Sequence, residues 1–354
     1  MTSFFSHAQF QVPLARARSR ASDVWRLLFA LSGRYRPLSA AETATEPADI
    51  VRYKGDIPIP AGKTHEQQRL VFREPRPPFE AVENLVVTPA GAGWKDGTLF
   101  EKYAASKPGL RMLLASHKPE ATVPEGFFVQ SEHTDTFGDW NSEYLSSLAR
   151  VGAIDAPVFL PASMASKRYV SRDAARAGIE IVAIDKPILI EKAKVVRQGK
   201  VIRYWRPHDA EAYRRFLNIV PLEPEPGSIV YFSRHGDVSE VANRTHPNLA
   251  VEAAVREKGG RVLRTRETDL EAYIAAAASA ETLLYDHGSA AYNMAFYRPR
   301  RIIEFASDAW WMNSFMMFAD SVGVKDYTVI RSDLGSPEEV AARTAAALDR
   351  PIET

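Results

Sequence analysis

The stretch TLLYDHGSAAYNMAF, Thr282 to Phe296, decides how the chain is read. Thr282 to Tyr285 is a short apolar run closed by small and polar residues, the pattern of a buried parallel strand. Asp286, His287, Gly288 and Ser289 suit an abrupt turn, and Ala290 to Phe296 predicts a helix directly behind it. A strand that turns at once into a helix places unpaired amides and the positive helix dipole at the carboxyl edge of a sheet, where open α/β folds bind ligands. An anionic group, most naturally a diphosphate, is the expected guest. The plainer alternative is an ordinary βα unit in which Gly288 only permits the bend.

Reading outward, Tyr297-Arg-Pro-Arg-Arg leads into Arg301 to Phe305, a second apolar strand that carries Glu304. Upstream lie an alanine-rich helix from Leu270 to Ala280, a strand from Arg261 to Arg264, and an amphipathic helix from Leu249 to Lys258 stopped by Gly259-Gly260. Before them, Ser228 to Phe232 is a strand ending in Ser233-Arg234. Arginine offers a permanent charge and a planar fork suited to two phosphate oxygens. Most arginines simply sit in water, so Arg234 and Arg244 also have a bland reading.

The proline-rich Val220 to Gly227 reads as a linker. Ahead of it the alternation repeats: Gly126 to Gln130, Ala156 to Pro161, a helix from Ser171 to Ala177 stopped by Gly178, then Ile179 to Ile184 and Pro187 to Ile190. Strands alternating with helices predict parallel βαβ units, hence an α/β chain with two Rossmann-like domains. The boundaries expected are a basic, amphipathic extension over 1–50, a first domain over 51–220, a second over 228–330, and a C-terminal helix over 331–354 that opens at Ser336-Pro-Glu-Glu339. Residues 39–78, rich in Ala, Glu, Pro and Gly without a sustained period, read as extended surface connections.

Composition narrows the function. With 45 Lys and Arg against 44 Asp and Glu, no basic excess points to nucleic acid. The absence of cysteine excludes disulfides, thiolate metal sites and a cysteine nucleophile, and fits a reducing compartment. No Asp-x-Asp pair or His cluster at ligand spacing points to a metal. No apolar run approaches the roughly eighteen residues of a membrane span. A cytoplasmic location is the expectation. Arg16, Arg18, Arg20, Arg26, Arg34 and Arg36 flank Trp25 to Leu31, which predicts either a peripheral anchor on anionic lipid or a helix packed on its own domain.

The run DHGSAAYNMAFYRPRRIIEF resembles the signature of glycosyltransferase family 61, the bacterial capsular polysaccharide biosynthesis type, in which a His-Gly-small-small-x-x-Asn helix start precedes a loop and a strand ending in Glu. His287, Gly288, Asn293 and Glu304 occupy those places. The likeness extends from about Gly126 to Ile330 and includes the strand ending in Ser233-Arg234, with Arg244 downstream. It implies a GT-B architecture, two Rossmann-like domains facing across a cleft, with a nucleotide-sugar donor on the second and a glycan or lipid-linked glycan acceptor approaching from the first.

What the resemblance implies about chemistry is a metal-independent, inverting transfer from a UDP-linked sugar, with no bound cofactor. Ser233, Arg234, Arg244, His287, Gly288, Ser289 and Asn293 would hold the donor, and Glu304 would grip ribose hydroxyls. Phe137-Gly-Asp-Trp140 followed by Glu143 is similar to the family's aromatic-Gly-His-Trp segment, with Asp139 in place of the His. An inverting transferase needs a base for the acceptor hydroxyl, and carboxylate or imidazole can serve. Asp139 is the first candidate, Glu143 the second and His133 the third. Asp139 can instead be read as the N-cap of the helix carrying Trp140, Tyr144, Leu145 and Leu148. A sugar-nucleotide epimerase or hydrolase, and a non-catalytic glycan-binding scaffold, remain alternatives on the same fold.

Overall fold

Hydrophobic patterning and turn chemistry sort the strands into two principal sheets. The computed structural model describes residues 35–37, 42–48, 53–55, 70–76, 78–101, 116–129, 136–196, 209–235, 249–264, 270–296, 298–307 and 314–352. The chain divides into two compact units, the first drawn from 1–44, 74–139 and 153–200, the second from 45–73, 140–152 and 201–354. Both are mixed α/β, and each is built around a sheet with parallel strands.

In the first unit eight strands run in the order β1 (Tyr35–Pro37), β7 (Thr98–Glu101), β6 (Gly93–Lys95), β5 (Phe79–Val87), β11 (Ile188–Val196), β8 (Ala121–Val129), β9 (Val158–Pro161), β10 (Ile181–Ile184). From β11 to β10 the neighbours are parallel. Across β5 the direction alternates, β11 lying antiparallel from Ile188 opposite Val87 to Val196 opposite Phe79. The sheet is therefore mixed, where the helix-strand alternation predicts parallel pairing throughout. At one edge the reason is local. Asp96 and Gly97 both adopt positive φ, 51° and 73°, and close β6 onto β7 with a two-residue hairpin, which joins only antiparallel strands. Leu85, Val87, Phe128, Phe159, Ile190 and Val195 form the core on one face. The helix Arg168–Ala177 carries the chain from β9 to β10 and ends at Gly178 in the left-handed region.

In the second unit six strands are all parallel, in the order β13 (Arg261–Arg264), β12 (Glu225–Ser233), β14 (Ala280–Asp286), β15 (Arg301–Ala306), β16 (Asp326–Arg331), β3 (Tyr53–Gly55). Counted from β12 this is the 2-1-3-4-5 order of a doubly wound sheet, with β3 added at the far edge. The central strands are buried on both faces, which explains their unbroken apolar runs. Tyr231, Leu284, Ile303, Phe305 and Ile330 pack one face against Val251 and Val255 of the helix Leu249–Glu257 and Val340 and Ala347 of the helix Pro337–Asp349. That last helix begins as expected: Ser336 and Glu339 exchange a capping box and Pro337 takes the first turn.

Three stretches sort differently from the expected 51–220 domain, one of them the helix Asp209–Phe216, which falls in the second unit. Tyr53–Gly55 pairs with β16 and so extends the second sheet, and Trp140–Gly152 belongs to the second unit. Residues 39–78, read as connections, also contain β2 (Glu42–Ala48) and β4 (Leu70–Arg76), which form a separate two-stranded sheet. Among the described residues no helix is long and apolar enough to cross a membrane. The Arg-rich segment from Arg16 to Arg34 lies outside the described residues.

Candidate functional site

The site grows from the place where the chain reverses its direction of travel across the second sheet. From β12 the chain passes to β13 on one side, then returns to β14 on the other, so the carboxyl ends of β12 and β14 emerge side by side with Phe232 opposite Tyr285. In a doubly wound sheet this switch point leaves a crevice that no connecting loop fills. Ser233 and Arg234 leave one strand there, and Asp286, His287 and Gly288 leave the other.

Asp286 joins the two ends. Its Oδ2 accepts the Arg234 amide at 2.7 Å and its Oδ1 accepts the Tyr231 hydroxyl at 3.0 Å. Burial pushes its carboxyl from 3.8 up to about 6, against the Arg234 amide and the Tyr231 hydroxyl, which favour the charged form. The Arg234 guanidinium folds back over the turn, where Nη1 donates to the His287 carbonyl at 3.3 Å. A Cβ placed on Gly288 would sit 3.2 Å from that Nη1. Glycine thus lets backbone and guanidinium approach closely.

Behind the turn His287 is anchored on three sides. Its amide donates to the Phe305 carbonyl at 2.8 Å, prolonging the pairing of β14 with β15. Nδ1 meets Glu304 Oε1 at 2.5 Å, and the ring stands edge-on to Phe315, with centroids 5.0 Å apart. Glu304 Oε2 accepts the Tyr327 hydroxyl at 2.9 Å, and the Tyr327 and Tyr285 hydroxyls bond to each other. Burial, then the Glu304 charge, drives both phenols well above their ordinary range, so they act as hydroxyl donors. His287 Nε2, on a fully buried ring, has no partner among the described residues. An unsatisfied buried nitrogen costs roughly 1–3 kcal/mol, which makes it a marker of a missing partner.

The helix predicted after the turn is the 3₁₀ helix Ser289–Phe296, whose first turn closes through the Ala291 amide on the Gly288 carbonyl at 3.1 Å. Gly288 and Ser289 are half-buried and accessible at its start. Asn293 is buried; its Nδ2 donates to the Ala290 carbonyl at 3.0 Å and its Oδ1 is without a partner among the described residues.

Other expected residues take different places. Glu304 is turned to His287 and Tyr327 and is fully buried, so it orients the imidazole instead of offering itself to ribose hydroxyls. Ser233 donates to buried Glu252 at 2.8 Å, and Glu252 is paired with Arg256 and Arg264, a structural cluster at the start of the crevice. Asp139 belongs to the first unit and is buried. Thr136, not Asp139, stands at the cap position: the Asp139 amide donates to Thr136 Oγ1 at 3.1 Å, and the Thr136 hydroxyl donates to Asp139 Oδ2. Glu143 lies in the second unit on the π-helix Trp140–Leu145, fully buried. Arg244 and His133 lie outside the described residues. Among the described residues no group of three or more His, Cys, Asp or Glu is placed to hold a metal ion.

Tyr285, Tyr327 and Phe315 escape a sequence reading because an aromatic inside an apolar run looks like core. Only the pairing register, which sets Tyr285 beside Glu304, reveals the hydroxyl line.

No family model matches the chain, and no curated protein matches it. Among solved structures it is similar to a mutant of the flavo di-iron protein from Thermotoga maritima, with 13% sequence identity over 64% of this chain and 57% of that one, at a TM-score of 0.25. The chain thus spans less than two thirds of that protein's length. The α/β fold stands on its own strand order and register.

Proposed function

We propose that the protein is a metal-independent, inverting glycosyltransferase of the GT-B kind that moves a sugar from a nucleotide diphosphate, UDP-linked by preference, to a glycan hydroxyl in surface polysaccharide synthesis. One observation carries the reading: the Arg234 guanidinium and the side-chain-free Gly288 lie against each other at the switch point of a doubly wound sheet. Leaving-group chemistry needs negative charge neutralised where the sugar–phosphate bond breaks, and a fixed cation beside backbone amides supplies it.

In this reaction the acceptor oxygen forms a bond to the anomeric carbon while the bond from that carbon to the diphosphate oxygen breaks, and the diphosphate departs with the electron pair. Arg234 and the amides of Gly288 and Ser289 hold the departing charge. The acceptor proton passes to a base. The resemblance to family 61 assigns that role to Asp139, with Glu143 and His133 behind it, and draws the acceptor as a glycan or lipid-linked glycan.

Isothermal calorimetry with UDP, beside a sugar-transfer assay, tests the proposal. Arg234→Ala is expected to weaken UDP binding about 30- to 100-fold, some 2–3 kcal/mol. Asp139→Asn is expected to bind UDP as the parent protein does and to lose turnover. UDP binding that is absent from the parent, or unchanged in Arg234→Ala, would remove the basis for sugar transfer.

A further inference from the structure

The four side chains behind the turn admit one consistent assignment of protons. A carboxylate only accepts, so Glu304 receives Nδ1–H from His287 at Oε1 and the Tyr327 hydroxyl at Oε2. With its own proton directed at Glu304, the Tyr327 oxygen is left to accept from Tyr285. Every proton in the line points towards Glu304, and the line ends at His287 Nε2, which has no hydrogen-bond partner among the described residues. Two packed elements hold the ring in that orientation: Phe315 stands edge-on to it, and the backbone on either side is tied to β15 and to Arg234. A carboxylate behind an imidazole sets its tautomer and makes the far nitrogen the working one.

We propose that His287 Nε2 is a ligand-contact atom of the anion site, sharing a proton with a phosphate oxygen of the bound diphosphate, and that Glu304, Tyr327 and Tyr285 are positioning residues that act through it. The assignment rests on the reading that this crevice holds a diphosphate. It adds a side-chain contact on the His287 side of the turn to the guanidinium contact on the Arg234 side. Glu304 then works one step back from the ligand, because its carboxylate serves the histidine and the histidine serves the phosphate.

Nitrogen-15 NMR of the histidine side chains in the full chain, titrated with inorganic pyrophosphate and paired with calorimetry of the same titration, decides the matter. The spectrum of His287→Gln identifies the His287 resonances by their disappearance. If the proposal holds, pyrophosphate binds, the Nε2 resonance moves on saturation, and Nδ1 changes little because its bond to Glu304 persists. Heat of binding with an unmoved Nε2 resonance would overturn this inference and leave the phosphate site standing. No binding of pyrophosphate would overturn both. In Glu304→Gln the ring loses its charged acceptor, so both resonances are expected to move before any pyrophosphate is added, with Tyr327→Phe producing the same change in smaller measure. Resonances identical to those of the parent protein in Glu304→Gln would refute the positioning role without reference to any ligand.

Discussion

The two ends of β15 treat buried charge in opposite ways. At the amino end, Arg301 directs its donors at four acceptors: Asp326 Oδ2 at 2.9 Å, the Ala347 and Leu348 carbonyls each at 3.2 Å, and the Arg350 carbonyl at 2.6 Å. Those carbonyls finish the helix Pro337–Asp349, which has no residues left to pair them. At the carboxyl end, Glu304 is just as buried, yet the histidine it holds keeps a nitrogen with no partner among the described residues, and Asp286, next to that histidine, sits where burial works against its charge. A buried charge bonded to the fold's own helix-end carbonyls serves the architecture, although Asp326 Oδ1 has no partner among the described residues. The polar groups at the carboxyl end lie instead where an open α/β sheet binds ligands.

The sharpest way to break this contrast is at the architectural end. Arg301→Met should destabilise the protein by about 3–5 kcal/mol, because Asp326 and three helix-end carbonyls lose their partner while remaining buried. A urea titration reads this as a fall in midpoint. A loss under about 1 kcal/mol would mean that the helix end is satisfied without the guanidinium.

The next effect is one of pH. Asp286 binds its proton more tightly folded than unfolded, since its carboxyl stands at about 6 against 3.8. Its contribution to stability is therefore complete below about pH 4, declines as pH rises to about 6, and is flat above, a total loss on the order of 3 kcal/mol. Asp286→Asn carries no titrating group. The gap between the variant's unfolding free energy and that of the parent should shift in the variant's favour across that window, and a gap constant from about pH 4 to about pH 7 would show that the carboxyl does not titrate there.

The smallest expected effect lies at the turn. Gly288→Ala puts a methyl 3.2 Å from Arg234 Nη1, close enough to displace the guanidinium by a few tenths of an ångström. UDP affinity should fall about three- to tenfold, with the unfolding free energy changed by no more than about 0.5 kcal/mol. Equal UDP affinity in the variant would mean that the close approach of Gly288 and Arg234 plays no part in binding.

The sequence was most legible where one residue type carries one physical demand. The apolar run before Asp286 announces a buried strand, the small residues after it announce the turn, and Ser233-Arg234 marks the end of the neighbouring strand. Ser336 and Pro337 likewise declare a helix start. Three features were hidden for identifiable reasons. Tyr53–Gly55 is too short to show a period, and its place on β16 is set by tertiary pairing. The π-helix Trp140–Leu145 buries Asn141, Ser142 and Glu143, residues that would ordinarily mark a solvent face. The role of Glu304 depends on which residue of β14 it stands beside, and no one-dimensional pattern encodes that register.

The placement of β3 has a practical consequence for anyone cutting the chain. Residues 53–55 complete a sheet whose other strands begin at Glu225, and Trp140–Gly152 belongs to the same unit, so that unit is not a contiguous stretch of polypeptide. A fragment begun at the Val220 linker would leave the outer edge of β16 bare, with its backbone amides and carbonyls ready to recruit another copy. Expression work on the second unit should therefore keep residue 53 and everything after it.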